Sequence, residues 1–202
     1  MLLTLQTKKS LGVVGNIYAT WNPLDKDADI TLSNGNLTAV NVTSASNKAV
    51  RATIGKSTGK WVFEIGIALN DNNPMVGIGD GAFALTNFLG TFANSFGLHT
   101  GGANHNGIVD QYGPSQAMTT AMVMYAVDLD AGKAWVSAGG SIWYGGNNPS
   151  TGLTPYLLFT PNMTIYPAAS SINTTNNPIT LNAGQSAFSN TVPSGFNAGW
   201  YN

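Results

Sequence analysis

The sequence predicts an all-β protein built as an antiparallel β-sandwich, and three observations carry that prediction. Short apolar runs recur along the chain, residues such as Gly, Asn and Pro separate them, and almost no segment has the spacing of an amphipathic helix. The clearest element is a hairpin, in which residues 123–129 and 133–137 flank the turn Asp130-Ala131-Gly132. Because an isolated hairpin cannot hide its apolar side chains from water, the rest of the chain must supply a second layer.

The remaining strands are short runs of β-branched, aromatic or aliphatic residues that end at turn signals. One such signal is Asn34-Gly35, which predicts a tight hairpin. The predicted strands are 30–32, 37–42, 50–54, 61–67, 75–78, 123–129, 133–137, 156–159, 165–171, 179–183 and 199–201. A further strand is indicated by Phe92, Phe96 and Leu98, and residues 82–88 have the spacing of one helical turn.

Alternation within the strands predicts which side chains form the core. In residues 61–67, Trp61, Phe63, Ile65 and Ile67 share one face of the strand, whereas Val62 and Glu64 share the other. We predict that a single core between the two sheets includes Trp61, Phe63, Ile65, Val76, Ile78, Val127, Leu129 and Trp135.

Composition excludes several classes of function. Charged residues are 8% of the chain and the net charge is −1, against roughly 25% charged residues in ordinary globular proteins. Arg51 is the only arginine, so no basic patch can form and no nucleic-acid partner is expected. The 202 residues contain no cysteine, which excludes disulfides and thiolate metal sites. No apolar run approaches the ~18 residues of a membrane span, and the N-terminus lacks the pattern of a signal peptide.

The hairpin also carries a family resemblance. Asp128-Leu129-Asp130-x-Gly132-Lys133-x-Trp135-x-Ser137, followed by Gly139-Gly140, resembles the hallmark hairpin of SPRY (B30.2-like) domains. Further blocks fall in that family's order: Val50-Arg51-Ala52-Thr53, Gly59-Lys60-Trp61-Val62-Phe63-Glu64-Ile65, Val76-Gly77-Ile78-Gly79, Tyr166-Pro167-Ala168-Ala169-Ser170 and Pro193-x-Gly195-Phe196. The resemblance covers about residues 19–201. It implies a bent, concanavalin-like sandwich and a non-catalytic binding module that recognises partners through its loops.

A narrower resemblance concerns the start of the domain. Thr20-Trp21-Asn22-Pro23 and the stretch Leu32-Ser33-Asn34-Gly35-Asn36-Leu37-Thr38 are similar to SPRY modules encoded by bacteriophages. This implies a virion protein made in the host cytoplasm and carried on the particle surface, as a capsid decoration, a head fibre or a tail-fibre subunit. The alternative is a bacterial or secreted SPRY-like module that binds protein or glycan and is not part of a virion.

Residues 1–18 stand apart from the predicted sandwich of residues 19–202. They contain two apolar runs, residues 1–5 and 11–14, on either side of Lys8-Lys9, and the residues predicted to mediate assembly are Leu2, Leu3, Leu5, Leu11, Val13 and Val14. Such a segment suits strand addition to the sheet edge of a neighbour, and we expect it to mediate self-association or anchoring. A closed homo-oligomer, with a trimer as the simplest case, and other virion proteins are the expected partners. The alternative is that the segment is the first strand of the domain.

A candidate binding surface lies in the loops rich in Gly and Asn. The adjacent aromatics Trp143 and Tyr144 cannot both enter one core layer, because consecutive residues face opposite ways, so one of them is a candidate stacking platform. The predicted set for binding surface glycan is Trp143, Tyr144, Asn147, Asn104, His105 and Tyr112. The alternatives are that this face contacts other virion proteins, or that one ring lies in the core and the other along the surface.

Four patterns that suggest metal, phosphate or catalytic chemistry are each incomplete, and no cofactor or metal site is predicted. Asp25-x-Asp27-x-Asp29 resembles the start of a calcium loop but lacks its glycine and closing glutamate. Residues 55–58 copy the end of a phosphate-binding loop, but a strand pattern follows them. His99, His105 and Asp110 are too few for a convincing metal site.

The fourth pattern is a pair of carboxylates. Asp128 and Asp130 have the spacing to share one strand face, as a glycosidase pair would. They also stand at the entrance to a tight turn, where Asp commonly makes local hydrogen bonds. No nucleophile elbow is present, and the sequence therefore predicts a protein that is not an enzyme.

Overall fold

A computed structural model describes residues 15–42, 46–67, 74–99, 102–110, 122–137, 143–172 and 177–202, with only the backbone at Val109 and Asp110. Its strands are β1 (Trp21–Lys26), β2 (Ile30–Ser33), β3 (Thr38–Asn41), β4 (Lys48–Ala52), β5 (Lys60–Ile67), β6 (Met75–Asp80), β7 (Ser95–His99), β8 (Gly102–His105), β9 (Ile108–Asp110), β10 (Met122–Asp128), β11 (Lys133–Ser137), β12 (Leu157–Leu158), β13 (Ile165–Ser171) and β14 (Ile179–Asn182). Two short 3₁₀ turns span Tyr144–Gly146 and Pro149–Thr151. No helix among the described residues is long and apolar enough to cross a bilayer.

The strands form two antiparallel sheets, so the predicted sandwich is confirmed. The first sheet has the order β1-β4-β13-β6-β7-β8-β9, and the second has the order β12-β11-β10-β5-β14-β3-β2. In the middle of the second sheet β10 pairs with β5 along its whole length, from Asp128 opposite Lys60 to Met122 opposite Gly66. In each sheet three of the six neighbouring pairs join strands that are not consecutive in the chain, so both sheets depend on long-range pairing.

The main core lies between the two sheets. Phe63 on β5 stacks on Tyr125 of β10 with ring centroids 5.0 Å apart, and Trp200 meets Phe63 edge-on. The Tyr125 hydroxyl donates to the carbonyl of Val76 in the opposite sheet at 2.5 Å. Burial raises the pKa of Tyr125, so its phenol stays protonated and keeps donating this bond at any ordinary pH. The predicted core residues in this cluster are Phe63, Ile65, Val76, Ile78, Val127 and Leu129.

Two predicted core residues lie elsewhere. Trp135 is 1% exposed, but it pairs with Ala126, which pairs with Val62, and these three side chains form a separate cluster on the outer face of the second sheet. Val136, the next residue along β11, enters the core between the sheets instead. Trp61 is only partly buried at the border of that core, where the ammonium of Lys56 lies 3.8 Å from its ring centroid.

The two carboxylates predicted at the turn of the β10–β11 hairpin both accept hydrogen bonds from backbone amides. The Asp128 carboxylate accepts from the Ala131 amide at 3.0 Å, and that of Asp130 accepts from the Gly59 amide at 2.9 Å. Gly132 has φ +63°, and a Cβ there would lie 2.2 Å from the Phe159 carbonyl oxygen. Only glycine satisfies both conditions, so the turn is fixed by conformation and by close approach. The Asn34-Gly35 turn is also confirmed, with φ 53° and 62° between β2 and β3.

Residues 81–94 differ from the prediction. No helical turn forms at 82–88. Two tight turns lie within residues 84–91 instead, one closed by a hydrogen bond from Asn87 N to Ala84 O and the other by one from Thr91 N to Phe88 O. Phe92 lies in this loop and not in a strand, since β7 begins at Ser95. The loop packs Phe83 and Leu89 against Ala49, Met75 and Ala168, covering the outer face of the first sheet. Its apolar spacing serves that packing and does not follow a helical face.

The chain joins the sandwich just before the predicted boundary at residue 19. The amide of Asn202 donates to the Ile17 carbonyl at 3.0 Å, Tyr18 forms an antiparallel bridge with Tyr201, and Ala19 donates to Trp200. The rings of Tyr18 and Tyr201 meet edge-on at 5.4 Å. The six apolar residues proposed for assembly, Leu2, Leu3, Leu5, Leu11, Val13 and Val14, lie outside the described residues.

We expect Trp135→Ala to lower the free energy of unfolding by roughly 3–5 kcal/mol, as truncation of a buried aromatic ring does. Chemical denaturation measures the change, and Trp61→Ala is the matched control because that ring is already partly exposed. A Trp135→Ala variant as stable as the wild type would show that the outer cluster is not a packed core.

Candidate functional site

A platform on the outer face of the second sheet carries the candidate site. The platform consists of Val62, Ala126 and Trp135, which lie side by side on β5, β10 and β11. Trp143 packs on it from the loop after β11, and Val192 packs on it from the C-terminal segment. The space between these two segments is an open cleft of about 460 Å³, which we call the outer groove.

The first wall of the outer groove is formed by residues 143–152. It is held at its start by a bridge between the backbones of Ser137 and Trp143. It is held at its end by Lys133, which donates to the Gly152 carbonyl at 3.0 Å, and by the Trp135 indole, which donates to the Leu153 carbonyl at 3.0 Å. Strand β11 therefore fixes both ends of this loop, and Trp135 acts as both platform and anchor.

The second wall is formed by residues 188–196 of the C-terminal segment. Phe188, Val192 and Phe196 pack against the platform, and the Phe196 ring meets Trp135 edge-on at 6.1 Å. The segment is also bound by Glu64, whose buried carboxylate accepts hydrogen bonds from Ser189 and Asn190. The second wall is thus held both by apolar packing and by a charged acceptor.

The lining of the outer groove is neutral. It consists of one indole, amides, hydroxyls and small apolar groups: Trp143, Gly146, Asn147, Asn148, Ser150, Thr191, Val192, Pro193 and Ser194. None of these nine side chains carries a charge. Within the lining, the Asn148 carboxamide accepts from the Ser150 amide at 2.9 Å and caps the 3₁₀ turn there. Such a surface can donate and accept hydrogen bonds and can present a ring face, but it offers no group for acid–base chemistry.

The structure brings together two of the six predicted binding residues. Trp143 and Asn147 both line the outer groove. Tyr144 turns the other way, as alternation requires, and its ring packs against Tyr156 at 5.8 Å on the border of the main core. Burial, with Tyr156 close by, raises the pKa of Tyr144, so it stays neutral. Tyr144 is therefore not part of this groove.

Of the other three predicted residues, two lie away from the outer groove. Asn104 and His105 are on β8 of the first sheet, and the Asn104 carboxamide lies 4.0 Å from the Met75 sulfur. Tyr112 lies outside the described residues. Sequence reasoning missed the second wall, Thr191 to Ser194, because nothing in its local composition distinguishes it from an ordinary loop.

The charged groups that suggested metal or catalytic chemistry have structural partners. The Arg51 guanidinium makes two contacts of 2.7 Å with the Asp25 carboxylate and also donates to the Phe83 carbonyl. Lys48 pairs with Asp27 at 3.2 Å and with Asp29 at 3.0 Å. Hydrogen bonds to Asp29 and Asp27 raise the pKa of Lys48. These pairs join the segment before β2 to strand β4.

The two carboxylates at the hairpin are similarly engaged. Besides its turn hydrogen bond, Asp128 pairs with Lys60 at 2.9 Å, while Asp130 holds the backbone at Gly59. Residues 55–58 connect β4 to β5, and among them the Lys56 backbone bridges Ile165 of β13. Both aspartates and the apparent phosphate loop therefore serve the scaffold.

The two histidines do not converge. In the β7–β8 hairpin His99 pairs with Gly102, whereas His105 pairs with Phe96, which lies three residues before His99 on β7. Alternation then places the two imidazoles on opposite faces of the first sheet. Among the residues whose side chains the structure describes, no three His, Cys, Asp or Glu side chains form a group that could hold a metal ion.

Comparison with known proteins gives a likeness in structure. No family model matches the sequence, and no curated protein matches it. The PSpry domain of TRIM65 superposes with a TM-score of 0.60 at 15% identity, over 82% of this chain and 89% of that one. The SPRY domain of human HERC1 gives a TM-score of 0.58 at 14% identity, over 83% and 99%.

Stonustoxin gives a TM-score of 0.60 at 17% identity, over 82% of this chain but 27% of that one. At these identities the likeness concerns the fold. Together with the two antiparallel sheets described above, it shows that this chain has the fold of a SPRY domain.

Proposed function

We propose that this protein is a non-catalytic binding module that takes its ligand in the outer groove. One observation carries the proposal: the groove is open and neutral, and a single sheet supports both of its walls. Binding sites are commonly built from loops that a rigid scaffold positions, with a few polar groups beside apolar surface. The SPRY fold agrees with this arrangement, because the resemblance in sequence implies a module that recognises partners through its loops.

The chemistry of the lining favours an uncharged glycan. The Trp143 ring offers a stacking surface, and the amides of Asn147 and Asn148 with the hydroxyls of Ser150 and Ser194 offer donors and acceptors for sugar hydroxyls. A phosphate-rich or strongly acidic ligand has no cation to meet among the lining residues. The competing occupant is a loop of another protein, which would use the same ring and amides.

A role in a bacteriophage particle is the second part of the proposal. Its support is the resemblance of residues 20–23 and 32–38 to phage-encoded SPRY modules, together with a surface that depends on Asn, Thr, Ser and Gly for its solubility. In this role the protein would decorate a capsid or form part of a head or tail fibre, and its groove would face host glycan or a neighbouring virion protein. Absence from purified particles, measured by mass spectrometry, would favour the bacterial or secreted alternative.

The proposed assembly segment belongs to the same role. The two sheets end in the strands β1, β9, β12 and β2, and an open strand edge can accept a further strand. We propose that residues 1–14 add to such an edge on a neighbouring subunit or anchor the module to the particle.

We expect the binding of uncharged surface glycans on an array to be lost in Trp143→Ala and strongly reduced in Asn147→Ala. Asn104→Ala is the matched control, because it makes the same change on the other sheet and should bind as the wild type does. Binding that survives Trp143→Ala and is lost in Asn104→Ala would move the site to β8. Capture of a virion protein by the same groove, with no glycan bound, would identify the competing occupant.

We expect deletion of residues 2–16 to leave a folded sandwich that no longer self-associates. The deletion ends before Tyr18, whose pairing with Tyr201 closes the described domain. Sedimentation measures the mass, and the thermal unfolding transition reports the fold. If the full-length protein is already monomeric and the truncated protein is unfolded, the segment is the first strand of the domain.

A further inference from the structure

We propose that Glu64 is a positioning residue for the outer groove, holding the second wall at a fixed place on the sheet. The inference rests on the proposed function for its biological meaning, because it concerns the same groove. In physical terms, the position of residues 189–194 is coupled to Glu64 at the centre of β5, and that coupling can be measured without a ligand.

The Glu64 carboxylate collects donors from one short segment. It accepts from the Ser189 amide at 3.0 and 3.1 Å, from the Ser189 hydroxyl at 2.7 Å, from the Asn190 amide at 3.0 Å and from the Asn190 carboxamide at 3.0 Å. A longer contact of 3.4 Å comes from the Asn182 carboxamide on β14. Four of these five donor groups therefore belong to two consecutive residues of the second wall.

This concentration of donors follows from the burial of the carboxylate. Glu64 is 0% exposed, and its cross-strand neighbours on β10 and β14 are Met124 and Asn182. The ion pairs of the described residues do not include it. A buried carboxylate without a cation is costly unless hydrogen bonds replace its hydration. Residues 189 and 190 supply those hydrogen bonds. If they left the sheet, the buried Glu64 carboxylate would lose the donors that replace its hydration.

The held residues lead directly into the groove. Asn190 is followed by Thr191, Val192, Pro193 and Ser194, all of which line the outer groove. The Asn190 carboxamide oxygen also accepts from the Ser137 hydroxyl at 3.5 Å, and the Ser137 backbone pairs with Trp143 of the first wall. A chain of contacts therefore runs from Glu64 through Asn190 and Ser137 to Trp143, so that the relative position of the two walls depends on the carboxylate.

The test is Glu64→Gln, which keeps the shape of the side chain. It replaces one acceptor oxygen by an NH2 group, which then faces the donors of Ser189 and Asn190. Native-state amide hydrogen exchange of residues 189–194 should become on the order of ten times faster, because hydrogen bonds to a charged acceptor are among the stronger ones. Exchange in β13 should stay as in the wild type. Asp80→Asn is the matched control, because it makes the same carboxylate-to-amide change in the loop over the other sheet. There the Asp80 carboxylate accepts from the backbone amides of Ala82 and Phe83 at 2.9 and 3.0 Å.

A second pair of variants keeps the test decisive if Glu64→Gln fails to fold. Ser189→Ala removes one donor at the edge of the wall, and Ser189→Thr restores a hydroxyl there. The proposal requires faster exchange of residues 190–194 in Ser189→Ala and recovery in Ser189→Thr. Unchanged exchange in Ser189→Ala, or an equal rise throughout the sandwich in Glu64→Gln, would overturn it.

Glycan-array binding by the same variants separates this inference from the proposed function. Local exchange that rises as expected, in a protein that binds no glycan at all, supports the positioning role and removes the proposed ligand. Glycan binding that is lost in Trp143→Ala but intact in Glu64→Gln, with unchanged exchange, supports the binding site and removes the positioning role.

Discussion

The register of β5, β10 and β11 determines most of what this molecule presents. On the inner side Phe63 lies opposite Tyr125, which lies opposite Val136. The Tyr125 hydroxyl joins this sheet to the first one through the Val76 carbonyl. The same register places Val62, Ala126 and Trp135 together on the outer side, where two distant segments of chain pack on them. A slip of one residue would exchange the two faces, so the core and the groove are specified by the same hydrogen bonds.

Electrostatics serves the same arrangement with few charges. The chain has eight Lys and Arg and nine Asp and Glu. Each ion pair of the described residues joins a strand to another strand or to the turn before β2. Arg51 holds the bend at Asp25, Lys48 holds the turn at Asp27 and Asp29, and Lys60 holds Asp128 at the hairpin. Charges committed to the scaffold leave the outer groove with amides and hydroxyls, which is consistent with a neutral ligand.

The sequence predicted the architecture better than it predicted the faces of the strands. The turns at Asn34-Gly35 and at Gly132 both need residues that tolerate positive φ, and the sequence provides such residues there. Both hairpins could therefore be placed. The face of Trp135 could not be placed in this way, because β11 carries apolar residues on both sides and alternation then gives no polarity. The outer side is apolar because the C-terminal segment covers it, and the sequence gives no local sign of that cover. Trp143 and Asn147 could be identified because the composition of their own loop pointed to them. The facing wall and the role of Glu64 could not, because they depend on long-range contacts.

The most direct test of this account is the distance across the outer groove in solution. The chain contains no cysteine, so Ser150→Cys and Ser194→Cys would place one spin label on each wall without interference. We expect a single narrow distance distribution from pulsed electron spin resonance in the ligand-free protein, because both walls are fixed to one sheet. A broad distribution that narrows only when a ligand is added would contradict it, since the groove would then be formed by binding and not by the fold.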